Sequence, residues 1–207
     1  MRPSDADLLQ AWGAGDSHAG GRLFNRYFVA ISRFFVNKVS DDPDDLVQET
    51  FMACLRGRER VRDKSSFRAY LFGVASNVLR MHFRKQRRHP GPEDLEELSA
   101  HDLAPGPSTV AHAHEEELLL LEALRRIPLR HQIVMELHYW EDMTTEEIGA
   151  VVDSPTGTVR SHLRRGRQLL EQELERLGGD PRVKTAVLID LERWATAVRT
   201  TITRECA

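Results

Sequence analysis

Apolar residues recur every three or four positions along most of the chain, which is the period of an amphipathic α-helix. Two stretches carry this pattern, Asp5 to Arg88 and Glu115 to Leu177, and neither shows the strict alternation of a β-strand. The pattern therefore predicts an all-α protein. Three predicted helix starts support this fold class. Ser4 and Asp7 mark the first, Asp42 and Pro43 with Asp44 and Asp45 in the first turn mark the second, and Ser66 before Phe67 marks the third.

The helical pattern is interrupted between residues 89 and 114. Prolines and glycines recur there, and the segment contains Asp and Glu but no Lys or Arg. We interpret it as a flexible acidic linker, which at about this length spans roughly 30 Å on average and about 90 Å when stretched. The chain is therefore expected to form two small helical domains, residues 1–88 and 115–177, joined by the linker 89–114.

A C-terminal extension, residues 178–207, follows the second domain. Gly178 and Gly179 are a typical helix stop, and Asp180 with Pro181 then predicts the start of an extra helix. We expect this helix to pack on the second domain through Trp194, and a regulatory role is the alternative. Its predicted apolar face comprises Val187, Leu191, Trp194, Val198 and Ile202.

Composition excludes several classes of protein. No run approaches eighteen uncharged apolar residues, and the N-terminus lacks the apolar stretch of a signal peptide, so we expect a cytoplasmic protein without membrane insertion. Cys54 and Cys206 are too few and too distant for a disulfide scaffold or a zinc motif, and we expect ordinary thiols. The net charge of −3 does not exclude a nucleic-acid partner, because the charges are distributed in blocks.

The strongest local signal is a helix-turn-helix between residues 144 and 170. Thr144 and Glu147 have the spacing of a capping box and precede a short helix with an apolar side. Asp153 tolerates the conformation of a tight turn, Ser154 is a predicted cap, and Pro155 suits the first position of the next helix. A helix, a short turn and a second helix are the parts of a common DNA-binding unit.

The second helix of this unit has one apolar and one cationic face. Val159, Leu163, Gly166 and Leu170 share the apolar face, and the opposite face carries arginines without any acidic residue between 156 and 170. A solvated surface is the alternative, but the preceding capped helix and turn favour DNA. The predicted DNA contacts are Thr156, Thr158, Arg160, Ser161, His162, Arg164 and Arg165, with Arg167 on the same face.

The first domain ends in a segment, Phe67 to Arg88, that is aromatic in its first half and basic at its end. Aromatic rings stack on bases and cations follow the phosphate backbone, so this combination suits single-stranded DNA. We expect at least half of Phe67, Tyr70, Phe72 and Val74 to be core residues instead. The predicted contacts to single-stranded DNA are Tyr70, Asn77, Arg80, His82, Arg84, Arg87 and Arg88.

Three stretches together resemble the sigma-70 family of RNA polymerase sigma factors, in its extracytoplasmic-function (ECF) group. Asp44 to Phe51 reads DDLVQETF and is similar to the segment that docks on a coiled coil of the polymerase beta-prime subunit. Phe67 to Arg88 is similar to the promoter-melting and minus-ten segment, and Pro155 to Leu163 to the minus-thirty-five recognition helix. Among the departures, Tyr70 stands where Trp is common, Ser76 and Met81 where Arg and Asp are frequent, and Asp153 where Gly is common.

The resemblance implies a sigma factor that directs core RNA polymerase to promoters. Its expected partners are the beta-prime and beta subunits, promoter DNA and an anti-sigma factor. Asn77 would capture a base of the non-template strand, and the linker would thread a polymerase channel. On the docking helix, Val47, Phe51, Cys54 and Leu55 are expected to be buried, and the implied polymerase contacts are Asp45, Leu46, Gln48, Glu49 and Met52.

Two other functions compete with this interpretation. A two-domain repressor would share the helix-turn-helix but would need a ligand pocket or dimer interface in the first domain. A metal enzyme would use the histidines in and beside the linker, but they lack the spacing of metal ligands on a rigid element. No catalytic residue, metal site or cofactor is therefore proposed; the histidines concerned are His89, His101, His112 and His114.

Overall fold

A computed structural model describes residues 3–39, 43–57, 67–86, 97–103 and 115–178, together with Arg193, Thr196, Ala197, Arg199 and Thr200. Within these residues there are helices and no β-strand, so the all-α prediction is confirmed. None of the described helices is both long enough and apolar enough to cross a membrane. The helices are α1 (Asp5–Gly13), α2 (Ser17–Val36), α3 (Asp44–Arg56), α4 (Phe67–Gln86), α5 (Ala100–Leu103), α6 (Glu115–Arg126), α7 (Leu129–Tyr139), α8 (Thr145–Val152) and α9 (Thr156–Arg176).

The predicted helix starts are largely observed. Ser4 caps α1 in a full capping box, because its hydroxyl accepts the Asp7 amide and the Asp7 carboxylate accepts the Ser4 amide at 2.9 Å. At α3 the N-cap is Pro43, without a side-chain hydrogen bond, and the negative charges of Asp44 and Asp45 occupy the first turn. The predicted caps Asp42 and Ser66 lie outside the described residues.

Helices α1 to α4 form the first domain. Its centre is apolar and aromatic, with Leu23, Phe35, Phe72 and Leu79 almost fully buried. Helix α1 crosses α2 where the Trp12 ring lies against Gly20, and a β-carbon at Gly20 would come within 2.7 Å of Trp12 Nε1. The absence of a side chain at this position therefore sets how closely α1 approaches α2.

Helices α6 to α9 form the second domain, and Gly178 ends α9 with a left-handed φ of 76°. A second apolar cluster, which includes Leu121, Leu124, Trp140 and Leu170, holds α6, α7 and α9 together. In the C-terminal extension the five described residues are helical, and Arg199 forms an ion pair with Asp142 at 2.8 Å. The residues on which the predicted extra helix depends, Asp180, Pro181, Val187, Leu191, Trp194, Val198 and Ile202, lie outside the described residues.

Part of the acidic linker packs against the domains. Residues 97–103 contain the short helix α5, in which Ala100 and Leu103 are buried, and the Leu129 amide donates to the Leu98 carbonyl at 2.9 Å. This stretch differs from the predicted flexible linker because its apolar residues gain enough from burial to offset the ordering of a few residues. The remainder of the linker lies outside the described residues.

The two domains pack on each other in what we term the closed arrangement. Helix α8 lies on α4, and a β-carbon at Gly73 of α4 would be 3.7 Å from the Val151 carbonyl oxygen of α8. Buried residues of both domains, including Phe72 and Ile148, belong to one continuous apolar cluster. The sequence left open whether the two domains meet, and the structure places them in direct contact.

Two buried ion pairs join the domains. Lys38, which follows α2, pairs with Glu136 of α7, and Arg33 of α2 pairs with Glu141 at 2.6 Å. All four side chains are less than a tenth exposed. Burial raises the pKa of Glu136 and of Glu141 and lowers the pKa of Lys38, while the opposite charge of the partner counteracts each shift.

The close approach at Gly20 gives a prediction for stability. Gly20→Ala should lower the free energy of unfolding by about 1 to 2 kcal/mol, because the clash with the Trp12 ring outweighs the helix propensity that alanine adds. Gly21→Ala is the matched control, since a β-carbon there meets nothing within 4 Å. Urea unfolding followed by circular dichroism measures both, and equal stability of the two variants would contradict the prediction.

Candidate nucleic-acid and polymerase interfaces

The predicted helix-turn-helix is formed by α8 and α9. Thr144 and Glu147 make the predicted capping box, and Asp153 turns the chain in the left-handed conformation with φ 52° and ψ 51°. The turn is tight at Gly149, where a β-carbon would be 2.7 Å from the Ser154 carbonyl oxygen. A glycine at position 149 is therefore needed for the close approach of the two helices.

The predicted cap of α9 is wrong by one residue. Pro155 is the N-cap, without a side-chain hydrogen bond, and its carbonyl accepts the amides of Thr158 and Val159. The Ser154 hydroxyl instead lies 3.4 Å from the carbonyl oxygen of Val152, to which it donates. The reason is that the extended backbone at Pro155 separates Ser154 from the first free amides of the helix.

Helix α9 has the two faces that the sequence predicts. Val159, Gly166 and Leu170 are buried, and Leu163 is half-buried. On the other face Arg160 lies 4.0 Å from Glu146, an exposed pair that competes little with a ligand. Of the predicted DNA contacts, Thr156 and His162 are half-buried, and the exposed ones are Thr158, Arg160, Ser161, Arg164 and Arg165, with Arg167 beside them.

Helix α7 supports α9 through a pair of histidines. The His131 and His162 rings meet edge to face with centroids 5.0 Å apart, and His131 Nδ1 lies 3.2 Å from the His162 carbonyl oxygen. Arg130 Nε donates to His131 Nε2 at 3.3 Å, so the neutral ring with its proton on Nδ1 satisfies both contacts. The pKa of His131 is lowered from its ordinary 6.5 to about 4, mainly by burial. The charges of His162 and Arg130 add to the shift, while the hydrogen bond to the His162 carbonyl and the charge of Glu97 oppose it.

Helix α4 carries the predicted contacts to single-stranded DNA. Phe67 and Phe72 are buried while Tyr70 and Val74 are half-buried, so half of these four residues are core, as expected. Asn77 is exposed, and its Oδ1 accepts from Arg80 Nη1 at 3.2 Å. Arg84 is also exposed, Arg80 and His82 are half-buried, and Arg87 and Arg88 lie outside the described residues.

The closed arrangement brings the two predicted DNA surfaces together. Arg80 of α4 and His162 of α9 line the same small pocket between the domains, with Val152 and Ser154 beside them. The sequence predicted these residues on separate domains and contained no indication that they would meet.

The docking helix α3 is rotated relative to the prediction. Leu46, a predicted polymerase contact, is only 6% exposed and therefore belongs to the core, whereas Leu55, predicted to be buried, is 42% exposed. Thr50 is also buried, one turn after Leu46, and its hydroxyl donates a hydrogen bond to the Leu46 carbonyl at 2.7 Å. Of the other predictions, Val47 and Cys54 are buried, Phe51 and Glu49 are half-buried, and Asp45, Gln48 and Met52 are exposed.

An apolar patch on α2 and α3 comprises Met52, a predicted polymerase contact, together with Phe28 and Leu55, whose exposure the sequence did not indicate. These side chains are 44%, 42% and 42% exposed, and the Phe28 ring lies nearly parallel to that of Phe51, with centroids 6.4 Å apart. Phe28 was missed because it lies in the apolar run from Tyr27 to Ile31, whose side chains point all around the helix, so that periodicity alone does not show which of them faces solvent.

Within the described residues, no three or more His, Cys, Asp and Glu side chains are arranged to hold a metal ion. Among the linker histidines, His101 Nδ1 lies 3.2 Å from Glu122, while His89, His112 and His114 lie outside those residues. Cys54 is a buried free thiol, and burial raises its pKa to about 12.

Comparison with known protein families finds a match for each of the two domains. The family model for sigma-70 region 2 matches residues 24–89, and that for sigma-70 region 4 matches residues 117–170. Together the two matches cover more than half of the chain. The chain belongs to the sigma-70 family.

Relatives with known functions narrow the assignment to the ECF group. The chain is 28% identical over 183 residues to the ECF RNA polymerase sigma-E factor of Escherichia coli K12 and to that of Salmonella typhimurium LT2, covering 84% of this chain and 96% of each relative. The Haemophilus influenzae sigma-E factor is 27% identical, with 84% and 97% covered. The protein is an ECF sigma factor, which directs RNA polymerase to initiate transcription at specific promoters.

A solved structure agrees with the fold. CnrH, in complex with the cytosolic domain of CnrY, matches with a TM-score of 0.56 and 23% sequence identity, and the match covers 83% of this chain and 97% of CnrH. The helices of the sigma factor therefore follow an architecture already seen in a solved protein.

The histidine pair predicts that stability depends on pH. The pKa of His131 is lower in the folded protein than in the unfolded chain, so the unfolded chain binds more protons between pH 6.5 and about 4. The contribution of His131 is present above pH 6.5 and should be lost as the pH falls toward 4. His131→Gln should reduce the fall in melting temperature between pH 7.5 and pH 5, measured by calorimetry. His18→Gln, at an exposed position, is the control, and an equal effect of both variants would exclude this role for His131.

Proposed function

We propose that the sigma factor acts by binding and positioning, through three surfaces on its two domains. Helix α3 and the apolar patch bind core polymerase, α4 captures the melted minus-ten strand, and α9 reads the minus-thirty-five duplex. The observation that carries the proposal is the exposed cationic face of α9 directly after the tight turn. No step in this mechanism requires a catalytic residue, and the need to reach polymerase and DNA supports the expected cytoplasmic location.

The minus-thirty-five role rests on the geometry of α9. The apolar face of this helix is held by α7 and α8, so its cationic face is presented by a rigid support. An α-helix fits the major groove, where arginine can donate two hydrogen bonds to guanine or bind a phosphate. Arg164 is exposed in the middle of this face and is our first candidate, with Arg160 and Ser161 one turn earlier.

The minus-ten role rests on α4. Asn77 presents an exposed amide that can hydrogen-bond the edge of an unpaired base, and Arg84 is exposed two turns further along the same helix. The buried Phe67, Phe72 and Phe83 anchor the helix in the first domain and are excluded as stacking platforms. Tyr70 is half-buried, which leaves part of its ring available for stacking on a base.

The core-polymerase role combines charge and apolar area. Asp45 and Gln48 of α3 are exposed beside Met52, and the apolar patch extends the surface to Phe28 of α2. An apolar centre with a polar rim is typical of a protein interface, and we assign it to the coiled coil of the beta-prime subunit. CnrH binds the cytosolic domain of CnrY, and by analogy an anti-sigma factor is proposed as a further partner of this chain.

Run-off transcription tests the whole proposal. Purified core RNA polymerase is incubated with a library of promoter fragments in the presence and absence of the sigma factor. Initiation at defined sites only when the factor is present supports the three roles together. DNA binding without association with core polymerase would instead favour a repressor that binds an operator directly.

The role of Arg164 predicts a specific binding defect. Arg164→Ala should weaken binding of the holoenzyme to its promoter, and it should lower the slope of log affinity against log salt by about one if Arg164 contacts a phosphate. If Arg164 reads a base edge, base choice at one position relaxes instead. Arg176→Ala removes the same charge from the exposed C-terminal end of α9 and should change neither quantity. Identical behaviour of the two variants would rule out a DNA contact by Arg164.

The apolar patch predicts a defect in polymerase binding. Phe28→Ser should weaken association with core polymerase at least tenfold, because an aromatic side chain at the centre of an interface commonly contributes 2 kcal/mol or more. Leu118→Ser is the matched control, since Leu118 is a similarly exposed apolar residue on α6 of the other domain. Affinity is measured by fluorescence titration, and unchanged affinity of the Phe28 variant would exclude the patch from the interface.

A further inference from the structure

Part of the acidic linker, residues 97–103, which we term the docked stretch, is connected to the recognition helix α9 by a chain of polar contacts. We propose that Glu97, Arg130 and His131 are positioning residues for α9, so that the docked stretch helps to orient the side chains that read the minus-thirty-five duplex. The proposal rests on the DNA-binding role proposed above for α9. It adds to that role a stretch of chain that precedes the match to sigma-70 region 4, which begins at residue 117.

The docked stretch completes the first turn of α7. The N-cap of this helix, Pro128, makes no side-chain hydrogen bond, and the amide of the next residue, Leu129, donates to the Leu98 carbonyl at 2.9 Å. Ser99 also pairs with Pro128 in an isolated antiparallel bridge. The first amides of a helix have no partner within it, so the linker supplies one from outside.

Internal contacts and burial hold the docked stretch in place. The Ser99 hydroxyl donates to the Asp102 carboxylate at 2.6 Å and accepts the Asp102 amide at 3.1 Å, which starts the short helix α5. Ala100 and Leu103 of this helix are buried. Glu97 is exposed, and an exposed ion pair contributes little to stability. The ion pair that Glu97 makes is therefore better suited to orienting a side chain than to holding the linker.

Three consecutive contacts lead from Glu97 to α9. Its carboxylate pairs with Nη1 of Arg130, and Nε of the same guanidinium donates to Nε2 of His131 at 3.3 Å. The donors of a guanidinium have a fixed planar arrangement, so an ion pair on one side of the group orients the other side. His131 then donates from Nδ1 to the His162 carbonyl oxygen at 3.2 Å, which lies in the second turn of α9.

The chain of contacts depends on a neutral His131 ring. A protonated ring would carry hydrogen on both nitrogens and could no longer accept from Arg130. The titratable and charged groups around the ring are Glu97, Arg130 and His162, and Arg80 of α4 lines the same small pocket as the last two. Because the pKa of His131 is lowered to about 4, mainly by burial, the ring is neutral near pH 7 and the three contacts coexist.

Contacts one turn apart fix the rotation of α9 about its axis. His162 is held through its carbonyl, and Gly166, on the same side of the helix, lies so close to α7 that a β-carbon would be 2.6 Å from Met135 Sδ. Rotation of α9 would disturb both contacts. The directions of Arg160 and Arg164 on the opposite face are thus set together with the position of His162.

Promoter binding by the holoenzyme tests the chain of contacts. Glu97→Gln removes the charge that orients Arg130, and it should weaken binding to a promoter found by run-off transcription about threefold to tenfold. Base preference in the minus-thirty-five element should relax as well, because the side chains of α9 are less precisely directed. Loss of a negative charge alone would favour DNA binding, so the expected direction is the opposite of a simple electrostatic effect. Affinity is measured by fluorescence titration across a library of minus-thirty-five sequences.

His101→Gln is the matched control within the docked stretch. His101 lies 3.2 Å from Glu122 of α6 and is not part of the chain that leads to α9. The hydrogen bond between Leu98 and Leu129 and the buried residues of α5 remain in this variant, so affinity and base preference should stay unchanged. Equal effects of Glu97→Gln and His101→Gln would overturn the proposal.

A double variant tests whether Glu97 acts through His131. In a His131→Gln background, Glu97→Gln should cause no further loss of promoter affinity, because the chain is already interrupted, whereas two independent effects would multiply. Calorimetry checks that each variant is folded at the temperature of the binding assay. Multiplied effects of the two substitutions would overturn the proposal.

NMR of the histidine ring nitrogens in the free protein gives a measurement that does not involve DNA. The resonance of His131 Nε2 should shift in Glu97→Gln, because the hydrogen bond from Arg130 is weakened, and it should not shift in His101→Gln. An unchanged resonance in Glu97→Gln would overturn the proposal. Failure of the DNA-binding role of α9 would look different, since the resonance would shift while neither Glu97→Gln nor Arg164→Ala changed promoter binding.

Discussion

The ion pair between Lys38 and Glu136 is the interaction on which the arrangement of the two domains depends. Both side chains are almost completely removed from water, and neither charge would be tolerated there without the other. The two charges can therefore be buried together in one relative position of the domains or hydrated apart. Both surfaces of the sigma factor that are proposed to bind DNA are affected by this arrangement, because Arg80 of α4 and His162 of α9 line one small pocket where the domains meet.

Close approach of helices at glycine is the second physical theme of the fold. Gly20 admits the Trp12 ring, Gly149 admits the Ser154 carbonyl, and Gly166 admits the Met135 side chain, each where a β-carbon would be closer than 3 Å. The contact at Gly149 sets the angle of the helix-turn-helix, and the contact at Gly166 seats α9 on α7. The recognition face of α9 is thus positioned by places where side chains are missing.

The surface of α3 that is proposed to bind polymerase shows how far the spacing of apolar residues predicts which side chains are exposed. The DDLVQETF segment forms a helix in which Asp45 and Gln48 are exposed, as expected, yet Leu46 is buried, Glu49 is half-buried and Leu55, just after the segment, is exposed. When apolar residues occur on several sides of a helix, different sides could be buried. The neighbouring helices decide which side it is. On α3 the buried set is decided by the neighbouring helices α2 and α4, and Phe28 of α2 stays on the surface with its ring facing that of Phe51.

The sequence by itself determined the helical class, the capping boxes at Ser4 and Thr144, the left-handed turn at Asp153 and the two faces of α9. These features depend on residues within a few positions of one another, so local spacing is sufficient to predict them. Only the tertiary structure decided that α8 covers α4, that residues 97–103 pack against the domains, and which α3 side chains remain exposed. Those outcomes depend on which distant surface covers an apolar face and which distant charge compensates a buried one, and the period of a helix contains no information about either.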